Sequence, residues 1–309
     1  MSDLATAAPA LGQPSSFSRW LLRGRRLAAA AAVTAIGLAI FAALAFPNLW
    51  LFLTSLKDDA AAWAIPPQYI PAHPTLEKYR ILLSGSAAAA QTRELEHWYL
   101  YVLNSAYVSL LPALLSTAIG TLAGYGFARF RFPGASAMLM LLLVGQMFPG
   151  PSLFIPIYLL VDALGLHDSL NALVIIYTAF HIPVATWLAS GFFRTVPVEL
   201  EEAARIDGCN LLQTMLYVAI PLAKIGIVTI AILGFMAFWG EYGFASILLE
   251  TQTQYTATIS LVRAVSEISV SFNSVGAAGT VMGVPLLVFL MLMQRQFVRG
   301  MTAGALKES

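Results

Sequence analysis

Six long apolar runs alternate with shorter polar segments along the chain, at about 27–56, 98–127, 135–161, 169–193, 213–240 and 275–294. Each is long enough to cross about 30 Å of hydrocarbon as a helix rising about 1.5 Å per residue. A helix satisfies its own backbone in lipid, so the pattern predicts six helical spans. The alternating segments of about ten residues that mark a membrane β-barrel are missing. The third run is interrupted by Gly145, Pro149, Gly150, Pro151 and Pro156. Proline removes a helix donor and clashes with the turn before it. This break, with Gln146, Pro149 and Ser152 beside it, reads either as a bend lining a pathway or as a kink that serves packing alone.

A different pattern occupies Pro197-Val-Glu-Leu-Glu-Glu-Ala-Ala-Arg-Ile-Asp-Gly208, a charged island between the fourth and fifth runs. Thr195 reads as its N-cap and Pro197 as a first-turn residue. Glu199, Glu201 and Glu202 suit the positive end of the helix dipole. Glu201 and Arg205 stand four apart in the favourable order, and Gly208 is placed as the C′ stop, giving a helix of about eleven residues. Ala203 and Ala204 form a small surface that a partner can approach closely. Pattern alone leaves two readings, a docking surface or a solvated interfacial helix.

Composition fits the membrane class. The 309 residues are 59% hydrophobic and only 11% charged, against about 25% charged in a soluble domain. Net charge is +1, which gives no footing for nucleic acid. With the N-terminus inside, twelve Lys/Arg fall on inner segments and five on outer ones, in line with the positive-inside rule. The expected layout is an all-α integral membrane protein with both termini cytoplasmic: a tail over 1–26, a transmembrane domain over 27–294 and a second tail over 295–309. Within it, 57–97 forms an extracytoplasmic loop, with a short helix from Thr75 to Arg80, and 194–212 a cytoplasmic loop. No cleavable signal is expected, because the first apolar run is long and Phe46-Pro47-Asn48-Leu49-Trp50 is a poor cleavage site. Trp20, Trp50 and Trp98 fall where interfacial belt residues are expected.

Candidate chemistry is sparse. His73, His97, His167 and His181 have no metal-ligand spacing, and the single cysteine, Cys209, excludes an intramolecular disulfide and a cysteine-based metal site. Glu241 and Glu267 read as surface carboxylates rather than a catalytic pair. The chain has no Gly-rich phosphate loop ending in Lys-Ser/Thr, so ATP hydrolysis is not expected of it. A secondary carrier or membrane enzyme would call for charged pairs within spans, and essentially none occur apart from Lys224 near a span end.

The spacing Glu202-Ala203-Ala204, three residues, Gly208, nine residues, Val218-Ala219-Ile220-Pro221 resembles the coupling-loop signature of binding-protein-dependent ABC importer permeases. That signature reads E-A-A, three residues, G, nine residues, I, any residue, L-P; Val218 and Ile220 are conservative replacements. Gly191-Phe192-Phe193 and Pro197-Val-Glu-Leu200 resemble its carbohydrate branch, and Asn104-Ser105, Ile155-Pro156-Ile157-Tyr158 and Gly240-Glu241-Tyr242 are similar to landmarks of the family. Cys209 and Asn210 replace a small Ala-Ser pair. The tail from Gln294 to Lys307 is similar to that of the smaller, maltose-type permease subunit.

The resemblance implies a type I ABC importer permease fold, and a partnership with a second permease, two ATP-binding subunits and an extracytoplasmic sugar-binding protein. ATP and Mg would be bound by the ATPase, and this chain would hold no cofactor or metal. Glu202, Ala203, Ala204, Arg205, Asp207, Gly208 and Pro221 would couple the chain to the ATPase. Gly304, Ala305, Leu306 and Lys307 would reach between the two ATPase copies. The setting would be a bacterial or archaeal cytoplasmic membrane and the cargo a di- or oligosaccharide, with another polar solute such as glycerol phosphate as the alternative.

Overall fold

The computed structural model describes the backbone of residues 16–84, 95, 97–266 and 271–305, and side chains for residues 28–84, 95, 97–266 and 271–292. All regular structure among the described residues is helical. In chain order, α1 is Ser16–Ser55, α2 Asp59–Ala62, α3 Glu77–Ser84 and α4 Trp98–Arg129. Then come α5 (Ala135–Val144), α6 (Phe154–Ala163), α7 (Leu170–Thr195), α8 (Val198–Ile206) and α9 (Leu211–Thr214). The last four are α10 (Ile220–Trp239), α11 (Gly243–Leu248), α12 (Ala257–Val265) and α13 (Phe272–Ala305).

The chain divides into a unit of residues 1–50 and a unit of residues 51–309. In the first, the described side chains from 28 to 44 are all exposed, and Phe46 stacks on Trp50 at 6.3 Å. A helix that is apolar all round is at home in lipid. Among the described residues, five stretches are long and apolar enough to span a membrane: Ala28–Ser55, Trp98–Arg129, Leu170–Thr195, Leu211–Trp239 and Phe272–Leu292. A sixth exists if Ala135–Met147 and Gly150–Ala163 count as one span, and these meet at 90°. The third run is therefore sharply broken where the glycine and prolines predicted it. Pro156, by contrast, falls in the first turn of α6, where a missing amide costs little.

In the larger unit the centre is the packing of α4 on α7, with α10 against both. Gly120 and Gly124 let the backbones meet. A Cβ on Gly120 would lie 2.5 Å from the Ala185 Cβ, and one on Gly124 would lie 2.6 Å from the Ala189 Cβ. Between membrane helices there is little hydrophobic driving force, so close backbone approach through small residues supplies much of the attraction. Two buried clusters flank this seam. One gathers Tyr125, Phe193, Val196, Met215, Ala219 and Ile230 at the α8 end. The other gathers Trp98, Tyr101, Leu173, Tyr177, Phe238 and Trp239 at the opposite end. Trp98 is thus fully buried rather than an interfacial belt residue, because it opens α4 on the side that faces the core.

Polar side chains tie distant segments together at that second end. The Asn104 amide donates to the carbonyls of Thr253 and Tyr255, both at 2.9 Å. Asn273 donates to the Lys57 carbonyl at 3.1 Å and to Asp59 at 2.8 Å, and Asp59 pairs with Lys78 at 2.9 Å. The helix expected at Thr75 starts two residues later as α3, with the Thr75 hydroxyl accepting from the Glu77 amide. Asp168 pins the turn before α7 to the loop after α11. It accepts from the amides of Glu250 and Thr251 at 2.8 and 3.1 Å and from the Thr251 hydroxyl. Burial would raise its pKa, but these hydrogen bonds and the nearby His167 together hold it below the ordinary 3.8.

Candidate coupling site

The charged island folds as α8, nine residues rather than about eleven. Thr195 is not its N-cap. Helix α7 runs on to Thr195, whose hydroxyl bonds back to the Phe192 carbonyl at 2.7 Å. Pro197 takes the N-cap place instead, with φ −58° already set by its ring. The far end follows the expected pattern. Gly208 has φ +95°, the left-handed region that glycine enters without a Cβ clash. Its amide bonds to the Arg205 carbonyl at 3.1 Å, and the Cys209 amide to the Ala204 carbonyl at 3.0 Å. This is the Schellman arrangement.

Asn210, a departure from the family pattern, caps the next helix. Its side chain accepts from the Gln213 amide at 2.9 Å, and the Gln213 side chain accepts from the Asn210 amide at 2.9 Å. The spacing Asn210-x-x-Gln213 is a readable capping box. Helix α9 then passes through one π-helical turn, Met215–Ala219, into α10. The Ile220 amide reaches back to the Met215 carbonyl. Pro221 follows with no amide to give, so the ladder changes register where proline has already interrupted it.

Helix α8 has two unlike faces. On the inner face Glu201 is 1% exposed. Its Oε1 accepts from Arg129 Nε at 2.8 Å and lies 2.7 Å from Arg129 Nη2, and its Oε2 accepts from the Tyr125 hydroxyl at 2.8 Å. Arg129 also donates to the Val196 carbonyl at 2.9 Å. Tyr125 sits edge-on to Phe193 with ring centres 5.3 Å apart. Glu201 therefore pairs with Arg129 at the end of α4, not with Arg205 on its own helix. On the outer face Glu202, Ala203, Arg205, Ile206, Asp207 and Gly208 are exposed and Ala204 partly so. Ile206 is 86% exposed, and Leu211 and Leu212 continue the exposed apolar surface. A carboxylate, a small residue and bare aliphatic carbon on one short helix make a surface suited to a protein partner.

The other predicted residues lie elsewhere. Gln146, Pro149 and Ser152 are exposed at the 90° bend, and Gln146 donates to the Phe180 carbonyl at 2.9 Å, three residues before Pro183 within α7. Gly304 and Ala305 close α13, while Leu306 and Lys307 lie outside the described residues, as does Glu267. Glu241 is structural: it accepts from the Tyr177 hydroxyl and from the amides of Phe244 and Ala245, capping α11. His181 is also spent on packing, with Nδ1 2.8 Å from the Ser116 hydroxyl and its ring against Gly234.

These features define a class, a polytopic helical membrane protein with a short two-faced helix between two of its spans. The chain belongs to the family described as "binding-protein-dependent transport system inner membrane component", which matches residues 116–303. Its relatives include the trehalose transport system permease protein SugB of Mycobacterium tuberculosis, 32% identical over 84% of this chain and 92% of that one. The galactooligosaccharides transport system permease protein GanQ of Bacillus subtilis is 30% identical over 85% of this chain and 90% of that one. The fold is shared with a chain of a bacterial ABC transporter that imports the acidic polysaccharide alginate, at a TM-score of 0.72 and 22% identity over 93% of this chain and 99% of that one. The protein is an ABC importer permease, a multi-pass membrane subunit of a transporter.

Proposed function

We propose that this permease passes a di- or oligosaccharide across the cytoplasmic membrane of a bacterium or archaeon, driven by ATP hydrolysed on partner subunits. An extracytoplasmic binding protein delivers the sugar, and a second, related permease completes the path. Two ATP-binding subunits carry ATP and Mg, and α8 rests in a cleft on one of them. Glu202 takes a cationic side chain of that cleft, Ala203 and Ala204 seat the helix, and Gly208 turns the chain back towards α10. Arg205 and Asp207 border the contact, and Pro221 sets the start of the following span. The Gly304–Lys307 tail reaches between the ATPase copies. Gln146, Pro149 and Ser152 line the path at the bend.

One observation carries the reading: of two adjacent glutamates on α8, Glu201 is spent on the protein interior while Glu202 is turned outward beside Ala203 and the exposed Ile206. The distribution of Lys and Arg supports a cytoplasmic position for this helix, and the named substrates of SugB and GanQ support a sugar as cargo.

The test is purification from native membranes in mild detergent, followed by reconstitution. Recovery of a second permease and an ATP-binding subunit, with ATPase activity stimulated by the binding protein loaded with trehalose, maltose or cellobiose, is the expected result. Stimulation by glycerol phosphate alone would move the substrate to the other reading. Transport by the chain alone, without ATP, would overturn the proposal.

A further inference from the structure

The Glu201–Arg129 pair is more than a way to bury a helix. Helix α8 packs most closely on the π turn and α9. Towards α4 the connection runs through side chains, Glu201 to Arg129 and to Tyr125. Arg129 closes α4 and also holds the Val196 carbonyl in the turn between α7 and α8. One guanidinium therefore staples the end of α4, the end of α7 and the start of α8. The side chains of Arg129 and Glu201 are only 8% and 1% exposed.

A buried ion pair is no cheap source of stability, since well-packed apolar residues often do as well. What it supplies is direction. The two guanidinium nitrogens on Glu201 Oε1 and the phenol on Oε2 fix the position of α8 along and across α4, whereas aliphatic contacts let helices slide.

We propose that Glu201 and Arg129 are positioning residues for energy coupling: they convert movement of α8 into movement of the α4–α7 pair. This rests on the reading that α8 docks on the ATPase. Without the pair, α8 still docks through its outward face and still follows the ATPase, but the spans follow it incompletely. ATP is then hydrolysed with less solute moved.

The experiment uses the complete complex in liposomes, with radiolabelled trehalose, maltose or cellobiose, whichever the wild type imports. Three quantities are read for Glu201→Ala, Glu201→Gln and the exchanged pair Glu201→Arg with Arg129→Glu. They are the ATP-binding subunit recovered, the ATPase rate stimulated by loaded binding protein, and the sugar moved per ATP. Expected for Glu201→Ala is recovery and ATPase within about twofold of wild type and sugar per ATP lower by about tenfold. Glu201→Gln, which keeps the size and an acceptor oxygen, should fall between, and the exchanged pair should recover part of the loss.

An assembled variant with unchanged sugar per ATP overturns the inference. So does failure of both Glu201→Ala and Glu201→Gln to assemble, which would reduce the pair to a folding role. If the wild-type chain itself recovers no ATP-binding subunit, the docking reading fails first and takes this inference with it.

Discussion

Adding one methyl group to the α4–α7 seam gives a sharp test of the packing. In Gly124→Ala the new Cβ would sit 2.6 Å from the Ala189 Cβ, 2.7 Å from the Ser190 nitrogen and 2.9 Å from the Thr186 carbonyl oxygen. Carbon atoms sit comfortably at roughly 3.5 Å or more, so the helices would have to part by about 1 Å. None of the opposing atoms can swing aside, because they are backbone or Cβ. Overpacking of this kind costs about 1–3 kcal/mol, and the parted helices also lose contact along their length. Gly126, two residues on in the same helix, meets nothing within 4 Å, so Gly126→Ala should be neutral or stabilising by about 0.5–1 kcal/mol. Thermal unfolding of the detergent-solubilised protein, followed by loss of monodispersity on a sizing column, should separate the two variants by several degrees. Ala189→Gly in the Gly124→Ala background should recover part of the loss. Equal midpoints for Gly124→Ala and Gly126→Ala would refute the close approach.

Three further outcomes are expected. Glu202→Lys should abolish sugar uptake while membrane insertion, judged by the amount in the membrane fraction, stays normal, because the outward carboxylate is reversed and the buried Glu201 pair is untouched. Gly208→Ala forces a Cβ into the left-handed region at φ +95°, at about 1–2 kcal/mol, and should lower transport. The parallel Gly191→Ala, where a Cβ meets nothing, should be tolerated. For Asp168 the pKa is lowered on folding, so its stabilisation is present above 3.8 and is lost as pH falls through the folded value. Unfolding midpoints of wild type and Asp168→Ala should therefore differ more above about pH 5 than in stronger acid, where they converge.

The spans were legible because apolar length is a property of the chain alone. The break in the third run was legible for the same reason, since Pro149 and Pro151 interrupt a helix in any surroundings. Its angle of 90° was not, because that depends on what α6 packs against, including Phe154 on Phe244 at 4.9 Å. Gly208 was readable as a stop, as it acts within a few residues; the Asn210–Gln213 cap is just as local and went unread. The resemblance singled out Glu202, but the helix pattern did not show that Glu201 turns inward. Both are acids in the same turn, and which one turns inward is decided by Arg129, 72 residues away in sequence. Thr195 shows the opposite error: a good N-cap residue was overruled because α7 continued through it.

The coupling assignment is tested most directly by cross-linking at the outward face of α8. In a Cys209→Ser background, Ala203→Cys and, at the other end of the molecule, Ala61→Cys would each be treated with a short bifunctional thiol reagent in native membranes. An adduct between the Ala203→Cys protein and the ATP-binding subunit, changed in yield by ATP and missing for Ala61→Cys, is the predicted result. An ATPase adduct at Ala61→Cys and none at Ala203→Cys would contradict the account, because the ATPase would then meet the opposite end of the bundle.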